Sequence, residues 1–204
     1  STQAIELARV LYANQLASGI EYDTSAAMNQ REFRWPNPRH DDVAAQRWHY
    51  YYSQTHPGLP PVGYLRSHFR IHVMANEMVW VPYYDINSQI IGYKTLSRSG
   101  GKRAGVGSKM ALYGDTESLS RLKYSNEPVI ICEGESDTWV MDYLYGDEYV
   151  VIGFPGANQN VQEMLGIYED SVWMNRYIAI VFDGDAAGTS GRAQVAQWLY
   201  DHGA

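Results

Sequence analysis

The chain has 204 residues, of which 45% are apolar and 19% are charged, so it can bury a sizeable core like an ordinary globular protein. No apolar run reaches the length of a membrane span, and a single cysteine excludes a disulfide framework and a zinc ribbon. We therefore expect a protein of a reducing, cytoplasmic compartment with no membrane partner.

The net charge of −7 argues against a nucleic-acid binder, but the charges are unevenly distributed. Residues 31–123 contain thirteen Lys or Arg and seven acids, whereas residues 124–204 contain two Lys or Arg and thirteen acids. A basic half beside an acidic half suits a site in which one part holds phosphates and the other holds a metal ion. Ordinary variation of surface charge remains the alternative.

The first third of the chain is predicted to be mainly helical. Apolar residues recur at helical spacing over 1–22, and a second helix ends at Tyr52, with Asp41 or Asp42 as its N-cap. A short third helix is predicted over 62–71. The intervening segment 23–41 is polar and irregular.

Two histidines, His68 and His72, lie four residues apart, the spacing that places both on one face of a helix. A zinc site needs three or four ligands, and no cysteine or nearby acid completes such a set. We expect solvent-facing histidines.

A β-hairpin and a basic segment follow. Residues 78–84 and 90–96 are β-prone runs that flank a turn over 85–89. The glycine-rich segment 97–109 then reads as a loop whose exposed N–H groups and cations suit phosphate binding. The candidate phosphate contacts are Lys94, Arg98, Lys102, Arg103 and Lys109. A basic loop without a specific ligand is the alternative.

The last part of the chain alternates strands and helices, which predicts an α/β fold with a mostly parallel sheet covered by helices on both faces. The predicted elements are 128–133, 138–145, 149–153, 158–168, 177–182 and 189–202. We expect a mainly helical subdomain over 1–75, the hairpin and basic segment over 76–125, and the α/β domain over 126–204.

Carboxylates follow two of these buried strands. Glu133 and Asp137 come after the first strand, and Asp183 and Asp185 come after the last, each pair beside a glycine. Clustered carboxylates repel one another unless a cation compensates, and hard oxygen ligands suit Mg²⁺ or Mn²⁺. Helix capping explains Asp137 or Asp185 singly. A phosphatase with an aspartate nucleophile would need a threonine at Ala187.

The motifs Glu133-Gly134-x-x-Asp137 and Asp183-x-Asp185-x-Ala187-Gly188 resemble the TOPRIM domain of primases and topoisomerases. Val151–Ala157 is similar to a middle strand and turn of that fold. The resemblance covers about residues 126–204 and extends more weakly upstream, through 82–114, toward phage primase-helicases and bacterial DnaG-like primases. It implies a Rossmann-like TOPRIM fold preceded by a mixed α+β basic subdomain.

The resemblance also implies roles for residues. Glu133 would be the catalytic general base or acid, and Glu133, Asp183 and Asp185 would hold Mg²⁺ or Mn²⁺, with Asp137 supporting the site. Lys94 and Lys109 look like the lysines that precede the TOPRIM strand in primases, so they join Glu133 and Asp137 as candidate catalytic residues. The resemblance implies that the five basic residues of this region contact the NTP or the template. Glu135 stands at the variable position of its motif.

Three functions follow from the resemblance. The first is a primase domain that synthesises short RNA primers on single-stranded DNA from NTPs, in a bacterial cell or a phage-infected host, with a replicative helicase as partner in cis or in trans. The second is a TOPRIM nuclease, and the third is a non-catalytic nucleic-acid-binding relic. The fourth sheet strand of the TOPRIM fold, and the acids beyond it, have no match in this sequence. We expect either that the sequence ends before them or that they were lost.

Overall fold

Two sheets, one antiparallel and one parallel, organise the fold. The computed structural model describes residues 33–98, 101–156 and 159–204, and residues 33–204 pack as one unit. The predicted helix over 1–22 lies outside the described residues. So do Ser99 and Gly100 of the basic segment, Ala157 of the middle turn, and Asn158, where a helix was predicted to begin.

Helix α1 (Asp42–Tyr52) begins where the sequence predicts, because the side chain of Asp41 accepts a hydrogen bond from the Ala44 N–H at 2.8 Å. Helix α2 (Val62–Phe69) ends at Arg70, which has a left-handed backbone with φ of 51°.

The chain then enters strand β1 (His72–Val73), so the prediction that His68 and His72 share a helical face is wrong. The left-handed turn at Arg70 separates them. His68 is exposed and stacks on Tyr64, whereas His72 is half-buried, and burial lowers its pKa.

The predicted hairpin is confirmed as strands β2 (Val79–Tyr84) and β3 (Ile90–Leu96). They belong to a four-stranded antiparallel sheet in the order β1-β2-β3-β4. The fourth strand, β4 (Lys102–Ala104), lies within the segment predicted to be a loop, so that prediction is wrong for these three residues. The backbone of β3 pairs with these three residues, and the hydrogen bonds of that pairing hold them as a strand.

The parallel sheet has the strand order β6-β5-β7, and this part of the fold follows the predicted alternation. Every residue of β5 and β6 is buried, as expected for strands covered on both faces. Its strands are β5 (Val129–Cys132), β6 (Val150–Gly153) and β7 (Ile178–Val181). The helices around it are α3 (Thr116–Tyr124), α4 (Glu135–Tyr145), α5 (Val161–Leu165) and α6 (Ala186–Asp201), with a 3₁₀ turn at Asp170–Val172.

Helix α4 connects the two sheets. Its Trp139 is fully buried against Trp48 and Phe69 of the N-terminal helices, and its indole N–H donates to the Tyr113 hydroxyl at 2.6 Å. Tyr113 in turn pairs with Gly153 at the end of β6. The first turn of α4 is thereby held between the antiparallel sheet and the carboxyl ends of the parallel strands. None of the helices seen in the described residues has both the length and the apolar character that a membrane span needs.

Candidate active site

The carboxyl ends of β5 and β7 lie side by side, and each is followed by an acid. The strands pair in register, with Cys132 opposite Val181, so Glu133 and the β7 turn are neighbours. The Asp183 N–H donates to Glu133 Oε2 at 2.9 Å. An open α/β sheet places its ligands at this edge.

Mutual repulsion is visible among these acids. Burial raises the pKa of the Glu133 carboxyl, and the negative charges of Asp183 and Asp185 raise it further. Burial also raises the pKa of Asp137, and the negative charge of Asp183 raises it further. The charges of these acids therefore oppose one another, and a bound cation would reduce that repulsion.

Gly188, in the first turn of α6, is required by the position of Glu133. A Cβ built on Gly188 would lie 2.3 Å from the Asp183 carbonyl oxygen and 2.7 Å from Glu133 Oε2. Both distances are too short for a side chain. Asp185 is the N-cap of α6 and accepts from the Gly188 N–H at 2.7 Å, so one of its oxygens serves the helix.

The donor chemistry of these acids fits Mg²⁺ or Mn²⁺, since all are carboxylate oxygens beside glycine turns. Their geometry is not that of a closed coordination shell: within the described residues, no group of three or more His, Cys, Asp or Glu is close enough to hold a metal ion. Glu133, Asp183 and Asp185 are therefore grouped electrostatically but are not assembled as ligands.

Glu135 was not among the predicted site residues, yet it is the most buried acid of this region, with 1% of its side chain exposed. Lys94 Nζ lies 2.6 Å from its Oε1, and Lys102 Nζ lies 3.3 Å from its Oε2. The Tyr83 hydroxyl also donates to Oε1 at 2.5 Å. Burial alone would raise the pKa of Glu135, but the two ammonium groups outweigh it and the pKa is lowered.

A cleft of about 560 Å³ lies between the acidic edge and strand β4. Among the described residues that line the cleft, Lys102 is the one lysine or arginine. The acids in the wall of the cleft are Glu133, Asp137 and Asp183. A Cβ built on Gly134 would lie 3.9 Å from Lys102 Nζ and 3.4 Å from Asp137 Oδ2, so cation and acid flank this turn closely. His56 also lines the cleft and stacks on Tyr52 at 3.8 Å.

The other predicted basic residues are placed differently. Lys94 is only 12% exposed and is engaged with Glu135, and the Arg98 guanidinium stacks 3.8 Å above the Tyr51 ring. Arg103 is adjacent to Lys102 on β4, so strand alternation directs it to the opposite face of the sheet. Lys109 is exposed, and among the described residues it is not part of the cleft wall.

Sequence reasoning missed Glu135 and His56. One signal for Glu135 was present in the sequence: it is the middle member of three acids at alternate positions, Glu133, Glu135 and Asp137. A predicted sheet that carries lysines precedes these acids in the chain. Nothing in the sequence pointed to His56, because the segment that contains it is not adjacent to any motif.

Comparison with family models found no match, and comparison with curated proteins found none. Among solved structures, the chain is similar to the primase fragment of the bacteriophage T7 primase-helicase protein, with a TM-score of 0.53 and 17% identity over 71% of this chain and 59% of that one. The chain thus spans about 59% of the length of that fragment.

Two weaker similarities have TM-scores of 0.47 and 0.41. One is to the structure of the T7 lagging-strand DNA polymerase interacting with primase domains of two gp4 subunits bound to an RNA/DNA hybrid and dTTP, at 20% identity over 62% of this chain and 63% of that one. The other is to the DnaG catalytic core, at 18% identity over 78% and 50%. We base the comparison on the T7 primase fragment, which supports the expected fold: a TOPRIM-type parallel sheet preceded by a mixed α+β region.

Proposed function

We propose that this chain is the polymerising domain of a DNA primase, a nucleotidyltransferase that joins NTPs into short RNA primers on single-stranded DNA. The observation that carries the proposal is the cleft in which Lys102 faces Glu133, Asp137 and Asp183. A cation opposite a set of carboxylates suits a nucleoside triphosphate bound together with a divalent metal ion. The shared fold with a T7 primase fragment supports the same conclusion.

The proposed reaction forms a bond between the 3′-oxygen of the primer and the α-phosphorus of the incoming NTP, and pyrophosphate leaves. Glu133 would accept the proton of the 3′-hydroxyl, because its raised pKa brings a carboxylate closer to the range suited to proton transfer near neutral pH. The Asp183 N–H would hold Glu133 Oε2 in place during this step.

The metal is proposed to be Mg²⁺ or Mn²⁺, held by Glu133, Asp183 and Asp185 once binding draws their carboxylates together, because they do not form a ready set of ligands among the described residues. Such an ion would neutralise negative charge on the phosphate oxygens. Lys102 would contact the triphosphate from the opposite wall of the cleft. Arg98, Arg103 and Lys109 are proposed to contact the template or nucleotide backbone outside this cleft, in a manner that gives affinity without sequence information.

A TOPRIM-type nuclease is the second candidate, since the same acids would serve phosphodiester hydrolysis. The position of Lys102 favours the primase, because hydrolysis does not need a cation for a triphosphate. A replicative helicase, in cis or in trans, is the partner that a primase of this kind would require.

The test is incorporation of labelled NTPs on single-stranded DNA with Mg²⁺ or Mn²⁺, alongside a nuclease assay on the same oligonucleotide. We expect slow, metal-dependent incorporation and weak, salt-sensitive binding to DNA of any sequence. Metal-dependent cleavage without incorporation would replace the primase with the nuclease. If the chain shows neither incorporation nor cleavage but still binds DNA, the result would support the non-catalytic nucleic-acid-binding relic.

A further inference from the structure

We propose that Glu135 is a positioning residue that, together with Lys94, fixes the ammonium group of Lys102 at the mouth of the acidic cleft. Lys102 then contacts the triphosphate, and Lys94 does not. The inference rests on the proposed function for its ligand, the triphosphate of a nucleotide. It assigns different tasks to two lysines that were both predicted to contact phosphates.

Lys94 is held too firmly to move to a ligand. Its ammonium group lies 2.6 Å from Glu135 Oε1 and 2.5 Å from the Pro155 carbonyl oxygen, and its side chain is 12% exposed. An ammonium group has three hydrogens to donate, and these two contacts use two of them. Withdrawing this charge would leave the buried Glu135 without its nearest cation, which is strongly unfavourable.

Lys102 can bind a ligand without leaving Glu135, because its contact with Glu135 uses one of the three hydrogens of its ammonium group. It is 47% exposed, and its Nζ contacts Glu135 Oε2 at 3.3 Å, a longer distance than that of Lys94. Half-exposed ion pairs of this kind contribute little to stability. When Lys102 Nζ also donates to a phosphate oxygen, it stays at Glu135 Oε2, and Glu135 keeps Lys94 and the Tyr83 hydroxyl on its other oxygen.

The register of the antiparallel sheet places both lysines on the face toward Glu135. Lys94 pairs with Ala104, and Leu96 pairs with Lys102, so Lys94 and Lys102 share one face by strand alternation. Glu135 is the first residue of α4 and is directly preceded by the Gly134 turn. One carboxylate therefore binds β3 through Lys94 and β4 through Lys102, and this sets the distance from β4 to the acids.

The first experiment measures the affinity of the full chain for inorganic tripolyphosphate, with Mg²⁺ and at fixed ionic strength, by calorimetry. We expect Lys102→Ala to weaken binding about tenfold to a hundredfold, the effect of one lost charge-assisted hydrogen bond. Lys102→Arg should recover most of the affinity. Lys123→Ala, an equal change of charge on α3 outside the cleft, is the matched control and should bind like the unaltered chain.

The second experiment separates positioning from simple electrostatics. Glu135→Gln removes a negative charge near the phosphates, so electrostatics alone predicts tighter tripolyphosphate binding, whereas positioning predicts weaker binding. In NTP incorporation, we expect Glu135→Gln to raise KM more than it lowers kcat. Tighter binding by Glu135→Gln would overturn the proposal. So would a loss of affinity in Lys94→Ala equal to that of Lys102→Ala at an unchanged melting temperature.

If Glu135→Gln fails to fold, Tyr83→Phe takes its place, because it removes one hydrogen bond to Glu135 and changes no charge. We expect affinity to fall several-fold, and unaltered affinity would overturn the positioning role. Failure of this inference can be distinguished from failure of the proposed primase function. Binding of tripolyphosphate without NTP incorporation would overturn the primase alone, whereas no binding by the unaltered chain would overturn the phosphate role of Lys102.

Discussion

Glu133 and Glu135 are the same amino acid, two positions apart at the end of one strand, and they meet opposite surroundings. Glu133 faces the acids after β7, and its pKa is raised by burial and then by repulsion. Glu135 faces two lysines of the antiparallel sheet, and their charges lower its pKa in spite of its burial. The two side chains meet different surroundings because Glu133 directly follows strand β5, whereas Glu135 is the first residue of helix α4.

This difference separates two kinds of acid within one motif. The charge of Glu133 is costly to the folded chain, which suits a residue that holds a cation or accepts a proton. The charge of Glu135 is already balanced, which suits a residue that holds two parts of the fold together. A cluster of acids in a sequence therefore does not imply that every member has the same task.

The largest expected effect comes from Glu133→Gln. If Glu133 is the proton acceptor, NTP incorporation should fall by about a hundredfold to ten-thousandfold. The melting temperature at neutral pH should stay the same or rise, because the folded state no longer contains the repelled charge. Incorporation kinetics and thermal denaturation measure the two effects. A normal rate would remove Glu133 from the chemistry, and a large fall in melting temperature would give it a structural task.

The next effect is on stability. Glu135→Ala leaves the buried Lys94 without its carboxylate, so we expect the free energy of unfolding to fall by about 3–5 kcal/mol in urea denaturation. Lys102→Ala, which removes only the half-exposed partner, should cost about 1 kcal/mol or less. Equal costs for the two variants would contradict the difference in burial that distinguishes the two lysines.

The same pair predicts a dependence on pH. Because the pKa of Glu135 is lowered by folding, its stabilisation is present above the ordinary carboxyl pKa and is lost as pH falls through the lowered value. The difference in free energy of unfolding between the unaltered chain and Glu135→Ala should therefore become smaller at acidic pH. A gap that stays constant down to strongly acidic pH would show that the ion pairs are not its source.

The smallest effect tests the support of Glu133 by α6. A methyl group at Gly188 would overlap the Asp183 carbonyl oxygen and Glu133 Oε2, so Gly188→Ala should cost about 1–3 kcal/mol and reduce NTP incorporation. Gly184→Ala is the matched control, because a Cβ there meets no heavy atom within 4 Å. Similar behaviour of the two variants in denaturation and incorporation assays would contradict the close packing at Gly188.

The sequence by itself determined the elements and the location of the acids. Apolar runs without alternation predicted β5 and β7 as buried strands, and Asp41 predicted the start of α1. The prediction is confirmed for β5 and wrong for β7, whose residues are only partly buried and whose Val181 is exposed. These features were readable because they depend on neighbours in the chain: periodicity, caps and turn residues are local. The order of strands and helices after residue 126 predicted a parallel sheet, whose carboxyl ends place Glu133 near Asp183.

Only the tertiary structure decided how the basic residues divide. Lys94, Lys102 and Lys109 were all predicted to contact phosphates, but Lys94 is buried on Glu135, Lys102 lines the cleft and Lys109 is exposed. Their placement depends on the pairing of β4 with β3 and on the packing of Trp139 in α4, both of which join residues distant in the chain. A charge is fixed by its amino acid, whereas its partner and burial are fixed by such long-range contacts.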